Sequence, residues 1–508
     1  MKTKLLFIQL LLGLNCVAQD YIFDDTFGTN GIKTTIINSF TPINGEIINN
    51  FYYLNSENKI TKIDYNGNIV NSFGTNGFIS LNTAAKTFQI SNFKFINGYF
   101  YFYGNGNSPA TSSLNANQDI FIYKINESGV ADSSFGTDGI ITFDFGNNET
   151  ITDFIMESNG SLLCVGNLNF PVGNTSQISS KIIHFKLNSN GTINYSYDST
   201  GFKSYSLTLP NMLNQKTEVQ SIYPFNGKFL LAGLHTASQL VDNNSFPKDA
   251  LLLTTIDNAG NIDPSYGTSG YRLQILDAAG GKTLKNIQKV DNNLYVKYFY
   301  NWSFNNQGTK IAKYDLVSNQ FIFEKLNMYE SYLKPEADGF FLTGYDKCFG
   351  SGCLRKFELK KFHTNGNADT SFGTDGSFSY RFPNNLYEDV STMYVKDANG
   401  KIMIAGLSYN RFAMIRLKNS ILKNEGFTAN SSSISPNPFT DKINISTNVA
   451  LKSIEIMDLL GRKIDEPEFT QNSNNSYSLT PNIPKSGIFL IKITTLDNKV
   501  ILKKIIKN

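Results

Sequence analysis

Tryptophan, histidine and cysteine are scarce in this chain: one Trp, three His and four Cys among 508 residues. Charge is thin too, at 17%, below the usual quarter. Its two signs nearly cancel, with 45 Lys+Arg against 42 Asp+Glu. That balance excludes a basic nucleic-acid surface, for which clustered Lys/Arg and a pI above about 9 are expected. No apolar run reaches the ~20 residues that a membrane helix needs. The histidines His184, His235 and His363 form no i, i+4 pair, so a helical zinc site is absent. There is no Gly-x-Ser-x-Gly elbow, no phosphate-cradling glycine loop ahead of a helix and no Asp-x-Asp-x-Asp-Gly calcium loop. No catalytic constellation, cofactor motif or metal site is therefore expected. His184 reads as a strand residue, and His235 as a solvated loop side chain beyond a strand that ends at Gly233.

Aromatic residues and glycine are plentiful: 40 Phe, 26 Tyr and 39 Gly. Disorder requires the opposite, few aromatics and high charge. Residues 1–18 read as an export signal. Lys2 and Lys4 precede a short apolar run from Leu5 to Leu14, and Cys16-Val17-Ala18 is a small-x-small exit, which places cleavage between Ala18 and Gln19. The alternative is a lipoprotein signal with Cys16 as the modified residue. Cys348 and Cys353 enclose Phe349-Gly350-Ser351-Gly352, a natural disulfide loop in an oxidising compartment; the competing metal reading lacks further ligands at zinc-like spacing. Cys164, within Leu162-Leu163-Cys164-Val165, reads as a small buried hydrophobe.

Two patterns recur through the first four-fifths. One is an Asn-Gly or Asp-Gly pair feeding an apolar strand often closed by Gly: Asn97-Gly98 to Gly104, Asn159-Gly160 to Gly166, Asn226-Gly227 to Gly233, Asp338-Gly339 to Gly344 and Asn399-Gly400 to Gly406. Asn44-Gly45 starts a weaker copy and Asn292-Asn293 a degenerate one. Asn-Gly suits a tight hairpin, whose central positions need positive φ. The other is an aromatic-Gly turn at Phe27, Phe73, Phe135, Tyr266 and Phe372, with a worn copy at Tyr197. An Asp that can bind backbone N–H two residues on often precedes it: Asp24, Asp132, Asp263 and Asp369. Each copy reads as a four-stranded antiparallel sheet that must stack on its neighbours to bury its faces. The extra turn at Phe27-Gly28, with strand material behind it, suggests that the N-terminal strand completes the last sheet and removes free edges. The expected fold is all-β: a seven-bladed β-propeller over 19–420, closed by its N-terminal strand, with copy five the most degenerate. The recurring aromatics are expected to pack between blades, and the insertion loops 105–118, 169–180 and 235–248 to offer binding surface.

These turns, best preserved at Asp132-Ser133-Ser134-Phe135-Gly136-Thr137-Asp138-Gly139 and Asp369-Thr370-Ser371-Phe372-Gly373-Thr374-Asp375-Gly376, resemble the delta-sixty repeat family. That resemblance implies a propeller-type repeat and no particular activity.

A polar linker, 421–433, leads to a last unit at 434–508. Alternating strands such as Ile488–Ile493 predict a small β-sandwich. The start Pro436-Asn437-Pro438-Phe439, the turn at Gly461, the strand opening at Gly487 and the lysine-rich end resemble the type A sorting domain of the type IX secretion system of Bacteroidota. The resemblance implies export by the signal peptide, recognition of this domain by the type IX machinery, and release or attachment at the cell surface. The function expected overall is a non-catalytic binding or adhesion module for an extracellular glycan or protein. The competing expectations are a propeller glycosidase or lyase, whose carboxylates would converge at the central channel, and a structural surface-layer component.

Overall fold

The computed structural model describes residues 21–35, 42–56, 58–81, 87–107, 118–171, 178–241, 244–276, 281–303, 306–327, 329–345, 355–383, 389–408, 411–419, 433–447, 449–458, 462–473, 476–496 and 500–508. The export signal with Ala18 and Gln19, the pair Cys348 and Cys353, most of the linker and Gly461 lie outside them. Among the described residues every element is a strand. No helix among the described residues is long and apolar enough to cross a membrane. The chain divides into two compact units, Met1–Asn419 and Ser420–Asn508.

The first unit holds seven antiparallel sheets of four or five strands among its described residues. Six follow in chain order, over residues 44–80, 87–143, 148–205, 213–275, 281–327 and 329–380. The seventh joins Asp389–Lys396, Ile402–Ser408 and Arg411–Asn419 to the start of the chain. Tyr21–Phe23 and Ile32–Thr35 both pair with Arg411–Asn419, Ile32 facing Ile415 and Tyr21 facing Asn419.

Apolar faces are buried between sheets. Separate cores join the first sheet to the second, the second to the third, and so on to the seventh. A further core joins the seventh back to the first through Phe27, Tyr52, Met393 and Met414. The recurring aromatics sit in these cores: Phe27, Phe73, Phe135 and Phe372 are at most 1% exposed. Stacking a sugar on them is thereby excluded. Phe135, for example, packs edge-on to Tyr101 beneath the third sheet. Gly136, at φ +61°, lets its turn fold back on the strand, because a Cβ there would lie 2.3 Å from the Ile140 carbonyl.

Turn chemistry differs from the expectation at four copies. At Asp338-Gly339 the hairpin is Ala337-Asp338, and Gly339 opens the strand Gly339–Tyr345 opposite Glu336. Asn44-Gly45 lies inside the strand Asn44–Ile48, and the hairpin is Asn49-Asn50, both at positive φ. Asn97-Gly98 and Asn226-Gly227 are true two-residue turns with both φ positive. At Asn159-Gly160 and Asn399-Gly400 only the glycine is left-handed, and a longer loop is closed by Gly160 and Gly400 N–H bonds to Glu157 and Asp397. Copy five forms a complete sheet. Where its siblings have the aromatic-Gly turn it has a short hairpin, with the Asn319 N–H bonded to the Asp315 carbonyl at 2.8 Å.

The second unit is two four-stranded sheets over one core of Phe439, Ile443, Ile445, Ile454, Ile456, Tyr477 and Ile491 with their neighbours. Pro436 to Phe439 brace the chain end. The Phe439 N–H donates to the Ile506 carbonyl, and the Asn508 N–H to the Phe439 carbonyl, at 2.8 and 2.9 Å. Asn437 accepts from the Ile506 N–H and donates to the Lys504 carbonyl. Gly487 opens the strand Gly487–Thr495, which pairs with Val500–Lys507 along its length.

Candidate functional site: a polar cavity ringed by leading strands

The leading strand of six of the seven sheets carries a feature that the sequence does not advertise. In the second, third, fourth, fifth and seventh sheets its register slips by one residue, at Ser91, Thr152, Gln220, Lys285 and Thr392. The sixth sheet slips between Tyr329 and Tyr332. Such bulges leave one residue unpaired and re-aim its side chain. They also explain the strand-closing glycines. Opposite the third-sheet bulge, a Cβ on Gly166 would lie 1.8 Å from the Thr150 carbonyl. Gly104, Gly233 and Gly406 face the same crowding. Only a residue without a side chain allows a carbonyl so close.

The leading strands of six of the seven sheets line one cavity of about 420 Å³. Six amide side chains reach it: Asn44, Asn92, Asn105, Gln220, Asn286 and Gln288. Ser91, Thr150 and Thr152 add hydroxyls, and Lys285 and Lys297 two ammonium groups. No carboxylate lines it among the described residues. The pair of carboxylates about 5–9.5 Å apart that glycoside hydrolysis uses is not assembled there.

Several of these groups also tie sheets together. The Asn44 amide donates to Asn92, and Asn105 to the Glu149 carbonyl. Gln288 donates to the Leu333 carbonyl at 2.9 Å, and Tyr332 to Asn44 at 3.1 Å. Beside the bulges, the Ile222 N–H donates to Asp153, Ser221 to the Ile287 carbonyl, and Thr392 to the Pro42 carbonyl. The cavity wall is thus pinned at these positions, and the buried Asn286 Oδ1 has no partner among the described residues.

The histidines stand apart from the cavity. His184 is buried between two tyrosines. Tyr205 spends its proton on the Gly260 carbonyl, so it accepts from Nε2–H, while Tyr197 donates to Nδ1. Burial pushes this imidazole down to about 3, so it stays neutral. His235 corrects the loop expectation: the strand runs on past Gly233 to Val241, and the ring is fully buried. His363 is exposed. Cys164 is buried with its thiol pushed well up by that burial, as a small hydrophobe would be. Asp119, Asp144 and Glu149 bring three carboxylates within 4.8 Å. Burial lifts Glu149 to about 7, and it accepts the Asn147 N–H, bracing the turn into its own strand.

The turn aspartates behave as the spacing predicts, and gain a partner that it does not reveal. Asp24, Asp132, Asp263 and Asp369 each accept the N–H two residues on. Each also meets a cation: Arg416 and Lys401, Lys124, Lys228 and Lys361 respectively. The backbone repeats with them, since the N–H of Asp132, Asp369 and Asp24 bonds to the carbonyl of Lys124, Lys361 and Arg416. In the seventh sheet this unit spans 392 residues. Arg416 is 1% exposed and lies over the Phe27 and Tyr65 rings at 4.6 and 4.1 Å.

Residues 433–508 match the family described as "Secretion system C-terminal sorting domain". The second unit is therefore a secretion-system sorting domain, which marks the chain for export to the cell surface or beyond. No curated protein matches the chain. Among solved structures, Drosophila Semaphorin 2a aligns over 96% of this chain and 99% of its own, at 7% identity and a TM-score of 0.44. The Pan2 WD40 domain of Neurospora crassa aligns over 79% and 98%, at 8% identity and 0.39. PorZ, described as an essential bacterial surface component of the type IX secretion system of Porphyromonas gingivalis, aligns over 94% and 100%, at 9% identity and 0.18. Likeness this loose transfers no activity.

Proposed function

We propose that the chain is an exported, non-catalytic binding protein of the bacterial cell surface: a seven-bladed propeller closed by its own N-terminal strands, delivered by a type IX sorting domain, that holds an extracellular glycan at its central cavity. Closure is supported by the succession of cores that returns from the seventh sheet to the first, and by the pairing of Ile32–Thr35 with Arg411–Asn419. The observation that carries the binding reading is the cavity itself, walled by six amides, four of them held in place by inter-sheet hydrogen bonds, and lined by no carboxylate among the described residues. Amides both donate and accept, which suits vicinal hydroxyls. The volume falls within the ~300–1,000 Å³ of ordinary ligand sites.

Two experiments test this. A glycan array probed with the mature protein is expected to show retention of specific oligosaccharides without their turnover; product release would instead make the chain an enzyme, and a blank array would remove the binding reading. Deleting 433–508 from the chain expressed in a type IX-competent cell is expected to strand it in the periplasm; unchanged surface delivery would remove the sorting reading.

A further inference from the structure

We infer that the cavity takes an acidic sugar residue, bearing a carboxylate or a sulfate, with Lys285 as its anion contact. The inference rests on the cavity being the binding site and says what enters it.

The argument starts from the bulges. Five leading strands slip at the same place, and the residues so re-aimed are Ser91, Thr152, Gln220, Lys285 and Thr392. Four are neutral. Thr392 spends its hydroxyl on the Pro42 carbonyl, and the other three neutral residues line the cavity. Lys285 breaks the series. It is solvent-exposed, lines the same cavity, and has no ion-pair or hydrogen-bond partner among the described residues. At the turns and strand ends of this unit the cations Lys124, Lys186, Lys228, Lys361, Lys396 and Arg416 meet carboxylates, a match that Lys285 lacks. Lys297 lines the cavity from the neighbouring strand and is engaged there. Lys285 is thus the unmatched charge on a wall without acids among the described residues, and low-dielectric walls focus the field of such a charge on an entering ligand.

The rest of the lining says that the anion belongs to a sugar. Asn286, adjacent to Lys285, has a buried Oδ1 with no partner among the described residues, an acceptor that a ligand hydroxyl would satisfy. Gln220, on the neighbouring sheet, adds another amide. Apolar side chains are the minority of the wall, Ile43, Ile151 and Leu333 against six amides and three small hydroxyls, which favours a hydroxyl-rich ligand. A bare inorganic anion would leave the amide ring unused.

The test is calorimetric titration of the mature protein at about 0.05 M salt, where exposed charges are screened little over the Debye length. The probes are three trisaccharides of one backbone: neutral, ending in a uronate, and carrying a 6-sulfate. The uronate or the sulfated form is expected to bind at least tenfold tighter than the neutral one, and the two arms separate the sources of the charge. Lys285→Met is expected to abolish that preference and Lys285→Arg to retain it. The exposed site makes misfolding no obstacle, and an unchanged melting temperature checks this. Equal affinity for all three sugars, or a preference that survives Lys285→Met, overturns the inference and leaves the binding reading standing. Silence with every sugar here and on the array overturns both.

Discussion

The two units bury their apolar residues by different plans. In the sorting domain, two sheets close on one core, and the residues that mark it, Asn437 and Phe439, grip the last strand. In the larger unit each sheet gives one face to the sheet before it and one to the sheet after, and the marking residues, Phe73, Phe135 and Phe372, fill the seams. A sheet of this kind has no core of its own, so its stability is borrowed from neighbours. The difference predicts that damage stays local in the tail and spreads in the larger unit.

The largest effect is expected at Arg416→Met. It takes the guanidinium from buried Asp24, which keeps Lys401 as its other cation, and from the Tyr65 carbonyl, so the cost is at most about 3–5 kcal/mol, that of breaking a buried pair. Calorimetry should show the larger unit melting much earlier with the sorting domain unmoved. A pair of truncations sharpens the comparison. Phe135→Ala and Phe439→Ala each empty a buried aromatic site, at about 3–5 kcal/mol. Each should lower only its own unit's transition, and a joint fall would contradict two independent cores. Gly166→Ala is smaller, roughly 1–3 kcal/mol, because the added methyl drives against a carbonyl that a bulge holds in place. Gly281→Ala, with nothing within 4 Å of its Cβ, should fall within about 0.5 kcal/mol of wild type.

Acid should separate the units more gently. Lys124, with Ser134, holds Asp132 below the ordinary carboxylate range. Burial opposes ionisation of Asp24, but Lys401, Thr26 and Arg416 outweigh it and hold its carboxyl well below that range. A depressed folded pKa contributes stability that is whole above the unfolded value, about 3.9, and is lost as pH falls below it. Glu149, lifted by burial to about 7, works the other way but has taken its proton in the folded state well above pH 4.5. Thermal scans from pH 4.5 to pH 2.5 should therefore lower the larger unit's transition more than the tail's, where Lys492 holds Glu455 below its usual value. A parallel fall in both would contradict this.

What could be read from the sequence was whatever is local. The Asp-to-aromatic-to-Gly turns close within eight residues, so Asp132 and Phe135 declare both the turn and its repeat. The sorting-domain signature is as compact at its start. Long-range partners were silent: nothing near Asp24 names Arg416, although the displaced turn at Phe27 implied that some distant strand must receive it. The bulges were hidden because one extra residue leaves composition untouched and only shifts the period-two alternation, so the strand at Lys285 looked ordinary and the cavity went unseen. The same alternation misplaced His235, whose strand continues through the glycine that a bulge requires. The pair Asn44-Gly45 misled for a related reason, since its hairpin is made five residues later by Asn49-Asn50, which can adopt positive φ without glycine.

Amide hydrogen exchange across residues 32–35 tests the central claim most directly. If the start of the chain completes the seventh sheet, the amides that pair there should exchange as slowly as those of Arg411–Asn419, and both should open together on the Arg416→Met background. Fast exchange over 32–35 beside a protected Arg411–Asn419 would show the seventh sheet complete without the N-terminus, and the ring would be open.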